Sequence, residues 1–182
     1  MQDKIQLIKE IGKIKRVKRS GWVREGIENS ESVADHSYRV AVMAMIFGKD
    51  LGIDVDKLIK MVLVHDLGEG SVGDMVAERG TRVDPRLNKE KEEKEIEAVR
   101  QIFTGESEIF SKLQEESMRM ESNEAKILKQ LERLEMAVQA LEYEEETGKD
   151  LSEFFENATL RIENEYLKTL LEAVKSLRPK KS

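Results

Sequence analysis

The sequence predicts an all-α fold, on three observations. Long segments are rich in Glu, Lys, Leu, Ala and Met, all good helix formers. Prolines number only two in 182 residues. Apolar residues recur at the spacing of one helical face in segment after segment. No shift in composition divides the chain, and its length allows one domain with a sizeable core. The expectation is a single globular bundle of about six or seven helices over residues 1–182.

Ile5, Leu7, Ile8, Ile11, Ile14 and Val17 give a first helix of about four turns. It runs into the basic cluster from Lys13 to Arg19, which reads either as a solvated helix end complementing the macrodipole or as a phosphate-binding group. Ser20-Gly21 breaks the pattern, and Trp22, the only tryptophan, is expected in the loop that follows. There it either fills the core or lines a pocket. Ser32-x-x-Asp35 is a capping-box start for a helix to about Leu51, apolar almost all round between Val40 and Phe47 and so buried on several sides. Asp54 caps the next helix, which carries Leu58, Ile59, Met61, Val62, Leu63 and Val64 and delivers His65 and Asp66 at its end. If the helix continues, Glu69 shares one side with both. Gly68, Gly70 and Gly73 then let the backbone turn sharply before Asp74.

Met75 to Asn88 reads as an irregular loop, with Gly80 and Asp84-Pro85 as turn signals. Lys89 to Phe103 is a charged helix with Ile96, Val99, Ile102 and Phe103 inward, and its charge run is a solvated face. Ile109, Phe110 and Leu113 suggest a short helix. Ser122 opens a long one to about Glu146, striped by Ile127, Leu131, Leu134, Val138 and Leu141. Glu132 stands at the edge of that stripe with Leu128 and Met136 four residues to either side, which favours an inward role. A final helix is expected from about Leu151 to Leu177 with Phe155, Ala158, Ile162, Tyr166, Leu170, Ala173 and Leu177 inward. Arg178 to Ser182 reads as a frayed tail.

Net charge is −6 and the sequence pI about 5.3, which argues against a dedicated nucleic-acid binder. A small phosphate substrate stays compatible, because a divalent cation and a few local Lys or Arg can offset the field at one site. The absence of cysteine excludes a disulfide framework and thiolate metal sites. No apolar run is long enough to span a membrane, and the N-terminus has no signal-peptide pattern. A cytoplasmic protein that binds neither nucleic acid nor membrane is expected.

The chemistry concentrates in two short stretches holding the only two histidines. One is Glu31-Ser-Val-Ala-Asp35-His36-Ser. The other is Val64-His65-Asp66-Leu-Gly-Glu69, continuing to Gly73-Asp74. Each histidine lies on an apolar helix beside an aspartate. Singly, each is more often a satisfied core residue. Together, His36, His65 and Asp66 supply three ligands for one ion, leaving positions open for water and substrate. Imidazole with carboxylate suits Mn, Fe, Co, Ni, Cu or Zn, and Mg less. Glu69 is placed to orient or deprotonate a water, and Asp74 could serve the leaving group or a substrate sugar.

These stretches resemble the HD-domain metal-dependent phosphohydrolases. Gly21-Trp22-Val23-Arg24, Glu31 to Ser37, Val64 to Glu69, Gly73-Asp74, Lys126 to Met136 and Leu141-Glu-Tyr143 are similar to the 5′-deoxynucleotidase branch, from about Ile8 to about Tyr166. The resemblance implies an all-α fold and hydrolysis of deoxyribonucleoside 5′-monophosphates to deoxynucleoside and phosphate. It implies dependence on one divalent transition metal, commonly Co, Mn or Cu, and a homodimer. It carries metal ligation to His36, His65 and Asp66, water orientation to Glu69, and a second essential acid to Asp74. Trp22 matches the residue that packs near the sugar and disfavours a 2′-hydroxyl. The family's fourth ligand, an aspartate, is matched here by Glu132, one methylene longer. The arginine that bacterial members place directly before the tryptophan is replaced by Gly21, and phosphate binding is carried to Arg19. Two other readings fit parts of the pattern. A hydrolase of triphosphates or signalling nucleotides would carry further His or Lys at the site, and no spare histidine exists. A non-catalytic metal-binding module would have no need of Glu69 and Asp74 at a glycine turn.

Overall fold

The computed structural model describes residues 2–74, 85–103 and 108–179. Among the described residues there are ten α-helical segments and no strand beyond one isolated bridge. They are α1 (Gln2–Ile11), α2 (Ser20–Arg24), α3 (Val33–Phe47), α4 (Val55–His65), α5 (Glu69–Val72), α6 (Pro85–Ile102), α7 (Ile109–Arg119), α8 (Asn123–Thr147), α9 (Ser152–Arg161) and α10 (Glu165–Ser176). The count exceeds six or seven because α2 and α5 are short additional turns of helix and the expected final helix is divided into α9 and α10. No helix among the described residues is long and apolar enough to cross a membrane.

α8 is the axis of the bundle. It packs against α3, α4, α7, α9 and α10, so Leu128, Leu131, Ala137 and Ala140 are wholly enclosed. Its start follows the expected cap: Ser122 accepts from the Ala125 N–H. The cap of α3 is a reciprocal Ser32–Asp35 box, and Asp54 caps α4 by accepting from the Lys57 N–H. These short-range bonds satisfy donors that a helix start leaves unpaired, which sets where α3 and α4 begin and so where their histidines fall.

The first helix is shorter than expected. α1 ends at Ile11, and a 3-10 turn, Gly12–Arg16, takes over. Beyond it the chain runs extended beside residues 31–33. Arg19 N–H donates to Glu31 O at 3.1 Å and Val33 N–H to Val17 O at 2.9 Å. This bridge clamps Arg19 and Glu31 to the base of α3.

Trp22 sits on α2, not in a loop, and has no exposed surface. Its ring stacks on Phe154 with centroids 4.1 Å apart and meets Tyr143 edge-on at 5.2 Å. Pro85 to Asn88 belong to α6, with proline in the first turn, where its missing N–H is harmless. The rest of the expected loop, with Gly80 and Asp84, lies outside the described residues.

The expected final helix is two helices. The chain breaks at Ile162, Asn164 caps α10 by accepting from Tyr166 and Leu167 N–H, and the Gln130 side-chain oxygen accepts from Glu163 and Asn164 N–H. The break shifts the buried face of α10 to Leu167 and Leu171, leaving Tyr166 and Leu177 exposed. Arg178 is anchored, not frayed: its guanidinium donates to both Glu144 oxygens at 2.8 and 2.6 Å and lies 4.1 Å over the Phe155 ring. Residues 180–182 of the expected tail lie outside the described residues.

Candidate metal centre

Buried polar groups are costly unless paired, so the polar residues enclosed in this apolar bundle point to its function. α3 brings His36, α4 brings His65 at its last turn, Asp66 follows as the cap, and α8 brings Glu132 and Glu135. All but Asp66 are buried. The donor atoms of His36, His65 and Asp66 lie within 4.8 Å of one another. His65 Nε2 stands 3.0 Å from Asp66 Oδ2 and 2.8 Å from Glu132 Oε1.

The far nitrogen of each imidazole has a protein partner. His36 Nδ1 is 2.5 Å from Glu135 Oε2, and His65 Nδ1 is 2.6 Å from Val62 O. A carbonyl only accepts, so His65 Nδ1 carries a proton. The same assignment follows at His36 with Glu135 ionised. In the neutral tautomers both Nε2 atoms are then lone pairs. Neither has a directed hydrogen bond among the described residues, although both are buried. Two such lone pairs beside two carboxylates suit a bound cation, and the backing of each imidazole by an acceptor is the usual arrangement behind metal-bound histidine. The residues therefore fit a divalent metal ion.

The electrostatics say the same. Burial disfavours the His65 imidazolium, but Asp66 and Glu132 outweigh it and push its pKa up to about 10. Burial raises Asp66 and Glu132, yet His65 with Arg19 and Lys129 for Asp66, and Lys129 with His65 for Glu132, hold both well below the usual carboxylate range. A proton on His65 thus does for the metal-free protein what an ion does for the loaded one.

A second buried group, Glu31, His36 and Glu135, supports the first. Glu31 accepts from the Trp22 indole N–H at 2.8 Å, and its own N–H donates to the Tyr143 hydroxyl at 2.8 Å. Burial and then the charge of Glu135 push Glu31 up to about 7. With Nδ1 of His36 taken by Glu135 and Glu31 held by Trp22, this group orients His36.

Glu69 reaches the site by a different route from the one expected. α4 stops at His65, and Glu69 opens α5, its N–H donating to Asp66 O at 3.0 Å. It is buried and lines the same cavity as His65 and Asp66. Only Gly73 of the three glycines has positive φ, 86°. Gly68 serves close packing: a Cβ there would lie 2.7 Å from Glu95 O. Asp74 Oδ2 accepts from the Ser20 N–H at 2.7 Å and stands 3.8 Å from Arg19. Arg19 is the same distance from Asp66. Burial opposes its charge, but Asp66, Asp74 and Glu69 raise its pKa above the ordinary arginine value.

A cavity of about 350 Å³ opens on His65, Asp66, Glu69 and Glu132. Its lining also includes Arg19, Lys129 and Arg133. Lys129 donates to Glu132 at 3.1 Å. A smaller cavity of about 150 Å³ adjoins it, with Arg19, Arg133 and Met136 common to both. Trp22 does not line either cavity. It lies beneath the wall of the smaller one, where its ring backs Phe154. Sequence reasoning missed Lys129, Arg133 and the supporting pair Glu31 and Glu135. The available signal was Glu132, Glu135 and Gln139 falling at helical spacing inside an otherwise apolar stripe.

This all-α bundle with paired histidines from successive helices defines the class, and the HD domain model matches residues 11–175. The chain belongs to the HD domain family. It is 40% identical over 163 residues to a Danio rerio protein named 5′-deoxynucleotidase HDDC2, covering 85% of this chain and 78% of that one. It is 37% identical over 188 residues to the Dictyostelium discoideum protein of the same name, covering 93% and 95%. A solved conserved hypothetical protein from Pyrococcus furiosus superposes with a TM-score of 0.78 at 34% identity, covering 94% of this chain and 99% of that one.

Proposed function

We propose that this protein hydrolyses deoxyribonucleoside 5′-monophosphates to deoxynucleoside and inorganic phosphate, using one divalent transition-metal ion held by His36, His65, Asp66 and Glu132. The observation that carries the reading is the pair of buried imidazoles whose donor atoms lie within 4.8 Å of each other and of Asp66, with His65, Asp66 and Glu132 opening on one cavity. The 5′-deoxynucleotidase relatives support the substrate class. The donor set of imidazole and carboxylate favours Mn, Fe, Co, Ni, Cu or Zn over Mg.

A bound divalent ion supplies Lewis acidity that acidifies water and draws charge from a phosphoryl group. The chain's own residues do the rest. Arg19 holds the phosphoryl oxygens, and Lys129 and Arg133 add positive charge around them. Glu69 orients the attacking water and takes its proton. Water oxygen bonds to phosphorus, the bond to O5′ breaks, and the 5′-oxygen leaves with the proton that Glu69 took from the water. Little covalent chemistry falls to the protein in such a transfer. Asp74, tied to the Ser20 N–H and beside Arg19, keeps that arginine in place. Trp22 acts on the sugar through the Phe154 wall it supports.

A homodimer belongs to this reading, supported by the exposed apolar residues Tyr38, Met45 and Ile46 along α3. So does a cytoplasmic setting, supported by a chain without cysteine.

Two variants test the roles. Glu69→Gln should lower kcat by about 10²- to 10⁴-fold with little change in KM, whereas Arg19→Ala should mainly raise KM. Full kcat in folded Glu69→Gln would overturn the assignment.

A further inference from the structure

The smaller cavity adds an aromatic wall and an amide to a charged lining that includes Arg19, Arg133 and Asp74. Its inner wall is the Phe154 ring, fixed by its stack on Trp22, with Gly21 leaving a recess beside it. A Cβ at Gly21 would sit 3.5 Å from that ring, in ordinary contact. The absence of a side chain therefore leaves room that packing alone does not demand. At the outer end Arg24 and Glu153 neutralise one another at 3.1 Å. Asn157 lines the cavity from the exposed face of α9. Among the described residues its amide has no hydrogen bond. An aromatic wall with one uncommitted amide is the pattern of a small-ligand site that takes a flat ring and reads its polar edge.

We propose that this cavity holds the nucleoside end of the substrate, with the base against Phe154 and its polar edge hydrogen-bonded to the side-chain amide of Asn157. The inference rests on the deoxynucleotidase reading and adds the base subsite to it. The direction is set by Arg19 and Arg133: they line both cavities, so a phosphoryl group at the metal side and a base at Phe154 belong to one molecule. An amide offers one acceptor and one donor face and can rotate to exchange them. Cytosine, adenine, thymine and guanine each pair a donor with a neighbouring acceptor. The subsite thus accepts all four bases with modest preference. A carboxylate in the same place, with acceptors only, would repel the O4 of thymine and welcome the N4 amino group of cytosine.

The test compares hydrolysis of dCMP, dTMP and base-free 2-deoxyribose 5-phosphate by metal-loaded wild type, Asn157→Ala and Asn157→Asp. Position 157 is exposed on a helix, where alanine is well tolerated. For Asn157→Ala, KM for both nucleotides should rise about three- to tenfold, while the base-free ester is unchanged. For Asn157→Asp, the ratio of kcat/KM for dCMP over dTMP should rise about tenfold. Nucleotide hydrolysis by wild type with no base-dependent change in either variant overturns the subsite alone. Absence of hydrolysis of any of the three by wild type overturns the deoxynucleotidase reading and the subsite with it.

Discussion

His36 Nδ1 lies 2.5 Å from Glu135 Oε2, and both side chains are sealed from solvent. The other Glu135 oxygen is 3.6 Å from Arg39 Nε, so a cation on α3 partners the carboxylate that aims an α3 histidine. Glu135 thus fixes both the tautomer and the orientation of His36.

Loss of that carboxylate should weaken metal binding without unfolding the chain. Glu135→Gln keeps an acceptor oxygen but loses the charge, and metal affinity should fall about 10- to 100-fold. Competition with a chromophoric chelator measures it. Unchanged affinity would show that His36 needs no such support.

Metal removal should make stability depend on pH in a particular direction. His65 in the metal-free fold has its pKa raised to about 10 by Asp66 and Glu132 against burial, compared with ~6.5 in an unfolded chain. A raised pKa stabilises the fold fully below the unfolded value, and the contribution is lost as pH climbs through the folded one. The thermal midpoint of metal-free protein should therefore fall between about pH 7 and pH 10. Asp66 and Glu132, held low, contribute above ~pH 4 and lose their contribution as pH drops further. Differential scanning fluorimetry across this range, with and without metal, checks both limbs. A flat alkaline limb in the metal-free protein would contradict the protonated His65.

Gly68→Ala should separate α5 from α6. The added Cβ would lie 2.7 Å from Glu95 O and 2.9 Å from its Cα, both backbone atoms that cannot swing away. A loss of about 1–3 kcal/mol is expected, comparable to overpacking a core, together with reduced turnover because Glu69 is the next residue. Urea unfolding and phosphate release measure the two effects.

Arg178→Ala should destabilise without touching catalysis. It removes two charged hydrogen bonds from Glu144, whose side chain is only 6% exposed. Partial exposure of the arginine limits the loss to about 1–2 kcal/mol. Unfolding by urea should show it, with kcat and KM unchanged.

What could be read from the sequence is what local chemistry encodes. The Ser32–Asp35 box, the Asp54 and Ser122 caps and the apolar stripe of α8 depend on residues within a few positions, and all are present. The break between α9 and α10 was hidden because no glycine or proline marks it. Its cause, the Gln130 amide reaching over from α8, is tertiary. Trp22 was misplaced because the neighbouring glycines suggested a loop, whereas packing on Phe154 and Tyr143 folds a helical turn. At the site, His36, His65, Asp66 and Glu132 were legible from residue type and position. Lys129, Arg133 and Glu135 were not, because α8 carries many Lys, Arg and Glu residues and only the packing of α3 and α4 decides which of them face inward.

Phosphate release by metal-stripped protein, with Mn, Co, Ni, Cu, Zn or Mg added back to matched deoxy- and ribonucleoside 5′-monophosphates, tests the proposed activity most directly. Release from the deoxy substrates alone, restored by a transition metal and lost in Glu69→Gln, is the expected result. No release from any monophosphate with any of these metals, by folded protein that still binds the ion, would contradict it.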